Sequence, residues 1–442
     1  MALGLVPDAR TPAADGAAGG PGVLVAGPAA VPRTAHAGRT SRAQRDLNVL
    51  RRRVLGALAF GLPMATRAQS ANPCSAVEGP TGWPAWQTLR RTLMSRDGRV
   101  IDRYASDATT SEGQAYGLFF ALVDNDRAAF ELLLRWTEDN LAAGDLAARL
   151  PAWRWGRRAD GSWNVIDANS AADADLWLSY VLSEAGRLWK NRRYDALGRV
   201  LARRIAAEEV IELPGLGTTL LPGPQGFRRG ERGAKLNPSY LPPQLLRWFA
   251  RNRTESVWVP LRDASLRLLH DSAPHGLAPD WTVFDADRGW SLAELADDER
   301  SGSYNAIRVY LWLGLTDPGD PARGRLLARY APMARLSELL GGVPEKVDPA
   351  RPALEQSAGA QANGPVGFQA AMLPFADALG QTALSERLAD RVATQGVQPD
   401  AYYDQVLSLF ALGFRERRYR FAADGSLQPG WASCDAPPGS SR

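Results

Sequence analysis

Residues 171–189 read AADADLWLSYVLSEAGRLW. From Leu176 onward the apolar side chains fall three and four apart, the spacing that gathers one face of an α-helix. Asp173 and Asp175 sit in the first turn, where the helix field favours acidic groups. On a regular helix these two acids project about 200° apart, so in a packed helix both cannot face solvent, and one of them is expected to point into a cavity. The same spacing recurs on both sides of this segment, interrupted by Gly- and Pro-marked turns. It predicts helices over 84–95, 112–123, 127–141, 171–189, 192–207, 239–252, 256–270, 303–315, 322–339, 367–378, 382–394 and 400–415. About twelve helices without alternating strands argue against a parallel sheet and for helical hairpins packed side by side. Six hairpins closed on themselves make an all-α fold, an (α/α)6 barrel. An open solenoid is the rival, and the absence of self-similarity at a fixed period counts against it.

Two interruptions read as short β-excursions: ELPGLGTTLLPGPQGF at 212–227 and RYRFAADGSLQPGW at 418–431, the latter with an Asp424-Gly425 turn. The connection from Asp271 to Arg300 is too long for an ordinary helix link and is rich in aromatics and carboxylates. Long loops on a rigid scaffold commonly carry function.

Residues 1–68 read as addressing rather than fold. Positions 1–40 are Ala-, Gly- and Pro-rich without a period, a composition expected to stay disordered. Arg51, Arg52 and Arg53 then precede an apolar run from Val54 to Ala65, too short to span a bilayer and placed like a signal peptide. Residues 69–442 are expected to form one exported catalytic domain, periplasmic or secreted, without a transmembrane segment. The two cysteines, Cys74 and Cys434, lie near its ends. Paired, they would close nearly the whole domain, a loop worth roughly 4 to 5 kcal/mol; the alternative is two free thiols. With three histidines in the chain and no metal-ligand company for the cysteines, a zinc site is not expected. The 52 basic residues barely exceed the 48 acidic ones, which gives little support to nucleic-acid binding. Fourteen Trp and eleven Tyr are more telling, because aromatic faces stack on sugar rings, although many such residues serve only as core.

Cutting a glycosidic bond needs two carboxyl groups across a sugar-binding cleft, one protonated and one ionised. TTSEGQAYGLFFAL at 109–122 places Glu112 in the first turn of a helix, beside Gly113 and on the face of Tyr116 and Phe119. Position alone also suits a capping box, Thr109-x-x-Glu112. The blocks SEGQAYG, LPAWRWG, AADADLWLSYVLSEAGRLW, NPSYLPP, SYNAIRVYLWLG, GPVGFQAAMLPF and AYYDQVLSLF follow one another in this order. In this the chain resembles glycoside hydrolase family 8 over roughly Trp83 to Trp431, and within it the periplasmic endoglucanases that accompany bacterial cellulose synthase. The resemblance implies the (α/α)6 barrel and hydrolysis of β-1,4-glucan, the chain of cellulose and cello-oligosaccharides, with inversion and no cofactor. Glu112 matches the family's proton donor. Asp173 matches the carboxylate of its A-[ST]-D-[AG]-D signature, with Ala172 departing from the usual Ser or Thr, and is expected to hold the sugar at the cleavage point and help orient water. Trp155, Asp175, Tyr240, Tyr304, Asn305, Arg308, Tyr402 and Tyr403 fall in blocks expected to bind substrate.

One departure bears on the chemistry. The family's usual general base is an Asp at the position of Asn305, and an amide cannot take a proton from water at ordinary pH. The candidates to replace it are Asp173 itself or an acid of the preceding loop, Asp297, Asp298 or Glu299, with Asp280, Asp285 and Asp287 farther off in sequence. Arg308 is placed to orient a carboxylate and hold its pKa down. Glu112 needs the reverse, desolvation that keeps it protonated.

Overall fold

The computed structural model describes residues 82–434 apart from 358 and 360. The expected leader and the Cys74–Cys434 pairing lie outside the described residues. Among the described residues the chain forms thirteen α-helices and eleven short strands, and no helix is long and apolar enough to cross a membrane.

Twelve of the helices form two concentric rings. The inner ring runs through α2 (Ser111–Val123), α4 (Ala172–Leu188), α6 (Pro243–Asn252), α8 (Ala306–Leu315), α11 (Val366–Ala378) and α13 (Tyr402–Arg415), each packed on the next. The ring closes where Phe410 of α13 stacks on Phe119 of α2 and meets Phe120 edge-on. Each inner helix is backed by an outer one: α3 (Arg127–Leu141), α5 (Arg192–Glu208), α7 (Trp258–Asp271), α9 (Arg323–Leu340) and α12 (Thr382–Gln395) back α2, α4, α6, α8 and α11, while α1 (Pro84–Leu93) backs α13. This is the expected (α/α)6 barrel. The thirteenth helix, α10 (Ala353–Gln356), is a single turn.

The sequence separates the rings by how far round each helix is apolar. All thirteen residues of α2 and all ten of α8 are buried. In α5, five of seventeen are. Small residues let the rings approach closely: a Cβ on Gly198 of α5 would fall 2.9 Å from the Ser179 carbonyl of α4. The axis of the barrel is filled. Trp177, Trp312 and Phe410, from three inner helices, have ring centroids 5.1 to 5.3 Å apart, and Tyr116 of α2 adds an edge contact to Phe410 at 5.1 Å.

Two predicted helix starts shift for identifiable reasons. Pro242 and Pro243 divide the 239–252 segment into a 3-10 turn at Pro238–Tyr240 and α6, because a proline suits a first turn but not a helix interior. The 303–315 segment becomes helical only at Ala306, where Asp280 Oδ1 accepts from the backbone N–H groups of Ser303, Asn305 and Ala306 at 2.7 to 2.9 Å. Both predicted β-excursions are hairpins: β4 (Val210–Leu213) with β5 (Gly217–Leu220), and β10 (Tyr419–Phe421) with β11 (Leu427–Pro429). Two sheets were not anticipated. One joins β1 (Thr109–Thr110), β2 (Arg154–Arg157) and β3 (Trp163–Asp167). The other joins β6 (Arg228–Arg229), β7 (Gly233–Leu236), β8 (Thr282–Asp285) and β9 (Gly289–Ser291), so the 271–300 segment is partly strand rather than loop.

Candidate active site

Glu112, Asp173, Asn305 with Arg308, and Tyr402 all belong to the N-terminal turns of inner helices and meet at one mouth of the barrel. The converging N-termini present unsatisfied N–H groups and a field that favours negative charge. There a recess of about 50 Å³ is lined by Thr110, Ser111, Glu112, Trp153, Ala171, Asp173, Tyr240, Trp281, Asn305 and Arg308.

Glu112 does not form the capping box. The cap of α2 is Thr110, whose hydroxyl accepts from Gly113 N–H at 3.1 Å, while Thr109 donates its hydroxyl to the Val100 carbonyl. The Glu112 carboxyl instead accepts from Arg308 Nη1 on Oε2 and from the Tyr402 hydroxyl at 3.4 Å on Oε1. Gly113 makes room for that tyrosine, since a Cβ there would meet its hydroxyl oxygen at 3.0 Å. Burial raises the Glu112 pKa, with Arg308 and Tyr402 opposing.

Asp173 lies on the other side of the same guanidinium, its Oδ2 3.6 Å from Arg308 Nη2, while its Oδ1 accepts from the Ala174 N–H. Burial lifts its pKa to about 7 against the pull of Arg308, and the charge of Glu112 adds to the rise. The two carboxyls share one cation.

Arg308 is almost wholly buried and lies 5.9 Å from the centre of the Tyr240 ring. Its Nη2 also donates to Ser239 Oγ and to Asn305 Oδ1, both at 2.9 Å. A guanidinium can only donate, so the Asn305 carbonyl oxygen is committed to Arg308. The amide nitrogen of Asn305 is left as a donor.

The loop acids are occupied elsewhere. Asp297 is exposed and paired with Arg300 at 3.0 Å, Asp285 with Arg288 at 3.3 Å, and Asp287 with Arg232 at 2.7 Å. Glu299 pairs with Lys235, which also lies over the Trp281 ring at 4.5 Å. Asp298 is exposed on the same loop, and Asp280 serves as the cap of α8. None of these lines the recess, whose carboxyl groups are those of Glu112 and Asp173.

Of the remaining expected residues, Tyr240 lines the recess and Tyr402 buttresses Glu112. Tyr304 and Tyr403 stand outside it: the Tyr403 hydroxyl donates to the Tyr304 carbonyl, and the Tyr304 hydroxyl donates to Glu345 Oε1 at 3.0 Å. Asp175 is sealed against Glu209 instead of facing the recess. Trp155 packs edge-on against Trp136 at 5.4 Å and stacks on Trp163 at 5.4 Å, away from the carboxyls. The aromatic of that block that does line the recess is Trp153. Trp153 lies just before β2, and the pairing of β2 with β3 shifts between Arg154 and Trp155, where Ile166 of β3 is the extra residue. Sequence reasoning also missed Ser239 and Trp281, although Trp281 sits in the aromatic-rich segment already marked.

Known proteins are similar to the chain over most of its length. The profile of Glycosyl hydrolases family 8 matches residues 62–417. An endoglucanase of Escherichia coli O157:H7 is 47% identical over 358 residues, covering 80% of this chain and 93% of its own length. An endoglucanase of Xanthomonas axonopodis pv. citri is 45% identical over 390 residues, covering 86% and 97% respectively. The crystal structure of an endo-1,4-D-glucanase from Vibrio fischeri superposes with a TM-score of 0.72 at 41% identity, covering 79% of this chain and 99% of that one. On its sequence, its two rings of helices and the length of these matches, the chain belongs to family 8 of the glycosyl hydrolases.

Proposed function

We propose that the protein is an inverting endo-β-1,4-glucanase acting on cellulose-like chains, with Glu112 as general acid and Asp173 as the group that activates water. The observation that carries this reading is the pair of buried carboxyls on either side of Arg308 in a recess walled by Trp153, Tyr240 and Trp281. Burial shifts Glu112 towards the protonated form that the leaving oxygen needs. Asp173, with a pKa lifted to about 7, is poised to accept a proton near neutrality. Asn305 donates from its amide to the water oxygen and leaves the water's protons for Asp173. The endoglucanase relatives support the substrate class. Export to the periplasm and action on glucan emerging from a cellulose synthase are the setting that fits the expected leader.

A second reading, a catalytically weak glucan-binding protein of the same fold, is favoured by one observation, the amide at position 305. Hydrolysis of carboxymethylcellulose and cellopentaose by purified protein separates the two. The glucanase reading expects falling viscosity and products released as the α-anomer, seen by proton NMR before mutarotation. Binding of cellopentaose without bond cleavage would establish the second reading.

A further inference from the structure

Behind Asp173, the first turn of α4 and the end of α5 bring together two carboxyl groups that the proposed reaction leaves idle. Asp175 is fully buried, and neither of its carboxyl oxygens meets a donor. Glu209, just after α5, is equally buried; Ser170 donates its hydroxyl to Oε1 at 2.5 Å, and Oε2 meets no donor. The two carboxyl groups lie close enough to act on each other, and among the described residues no cation stands between them. Carboxylates only accept, so a bond across this contact requires a proton on one of them. The charged groups that act on the pair are acidic too: Asp173 on α4 and Glu208 at the end of α5. Tyr240, on the 3-10 turn, feels the charges of both Asp173 and Glu209, and Arg308 and Glu112 face Asp173 from the far side. Two anions in such a place, without a cation, are not tolerated.

We infer that Asp175 and Glu209 form a proton-sharing carboxyl pair that positions Asp173 and sets the pH at which it becomes a base. The inference rests on the assignment of Asp173 as the water-activating group. While the pair holds its protons, the N–H groups of the α4 N-terminus and the guanidinium of Arg308 act on Asp173 alone. Burial raises the proton affinity of all three groups, and of the three only Asp173 has a guanidinium beside it. Asp173 is therefore the one that ionises most readily, with neutral groups at its back. Asp175 and Glu209 touch neither substrate nor water in this scheme; they act through Asp173.

The test is the pH profile of kcat/KM on a soluble cello-oligosaccharide for wild type, D175N, E209Q and the D175N/E209Q double variant. In D175N the new amide donates to Glu209 and, with Ser170, holds it as an anion. E209Q holds Asp175 as an anion in the same way. Each single variant thus fixes a negative charge behind Asp173 and is expected to move the acidic limb up by about one pH unit. The double variant has no carboxyl to ionise and is expected to return the limb to its wild-type position. Single variants that lose rate equally at every pH, with the limb unmoved, would reduce the pair to a packing contact and overturn the inference. D173N tests the underlying assignment separately: an active D173N with the wild-type acidic limb removes Asp173 as the base, whatever the pair does. Should the single variants fail to fold, infrared spectroscopy at pH 7 in an E112Q/D173N background, which removes the signals of the two recess carboxyls, still decides. A protonated-carboxyl stretch that is present in this background and disappears when D175N and E209Q are added to it is expected, and its absence from E112Q/D173N overturns the inference.

Discussion

Helix α4 carries buried carboxyl groups at both ends, and the two ends are built on opposite principles. Near its C-terminus, Glu184 is saturated. Arg187 Nε donates to its Oε1 at 3.0 Å, Trp248 Nε1 to the same oxygen at 2.9 Å, and the Leu427 backbone N–H to Oε2 at 2.7 Å. These bonds tie α4 to α6 and to the β10–β11 hairpin. At the N-terminus, Asp173 faces a guanidinium 3.6 Å away, and Asp175 has no donor on either oxygen. A carboxylate with every lone pair engaged is structural glue. One left short of donors has its proton affinity raised and is available for chemistry. The arginines differ in the same sense. Arg187 has a half-exposed side chain, whereas Arg308 is enclosed and shared between Glu112, Asp173, Asn305 and Ser239.

The largest effect that tests this contrast is catalytic. Glu112→Gln is expected to lower kcat on carboxymethylcellulose by about 10³-fold, the middle of the usual range for general acids, with circular dichroism unchanged. A residual rate within tenfold of wild type would remove Glu112 from the reaction. At the other end of α4, Glu184→Ala is expected to leave kcat within about twofold while destabilising the fold by about 2 to 4 kcal/mol in urea titrations, because an indole N–H, a backbone N–H and an arginine all lose their acceptor. A large loss of kcat with unchanged stability would erase the distinction between the two ends.

Stability against pH gives a smaller signal of known sign. Glu209 has a folded pKa of about 8 against its usual 4.5, so between those values the folded chain holds a proton that the unfolded chain releases. The group contributes stability that is complete below about 4.5 and is lost as pH rises through about 8. E209Q should therefore flatten the fall in urea midpoint between pH 5 and pH 8, and an unchanged slope would contradict the protonated state of that side chain. The smallest expected effect is a displacement of the rate profile in Asn305→Asp. Arg308 already donates to that position, so the new carboxylate should ionise easily and move the acidic limb to lower pH, measured as kcat/KM on cellopentaose. A limb unmoved by this change would show that position 305 has no access to the reacting water.

The helices were legible because apolar residues surround the inner ones and stripe the outer ones, and the spacing of those residues survives in the sequence. The predicted span 192–207 differs from α5 by a single residue at its end. The two unanticipated sheets were not legible: their strands are two to five residues long, too short for alternation to emerge from the background. In the site, Glu112, Asp173 and Arg308 converge as expected because each opens an inner helix. Trp153 and Trp155 share one sequence block, and only packing, Trp155 on Trp136 and Trp163 and Trp153 at the recess, tells them apart. Glu209 lay in none of the quoted blocks, and only its burial against Asp175 draws attention to it.

The aromatic plug of Trp177, Trp312, Phe410 and Tyr116 carries a consequence of its own. With its bore stoppered by packed rings, the cylinder offers a polymer no tunnel to thread and no far door to leave by. A long strand can only be laid over the rim like a rope across a capstan, so any link along it is as reachable as its tip.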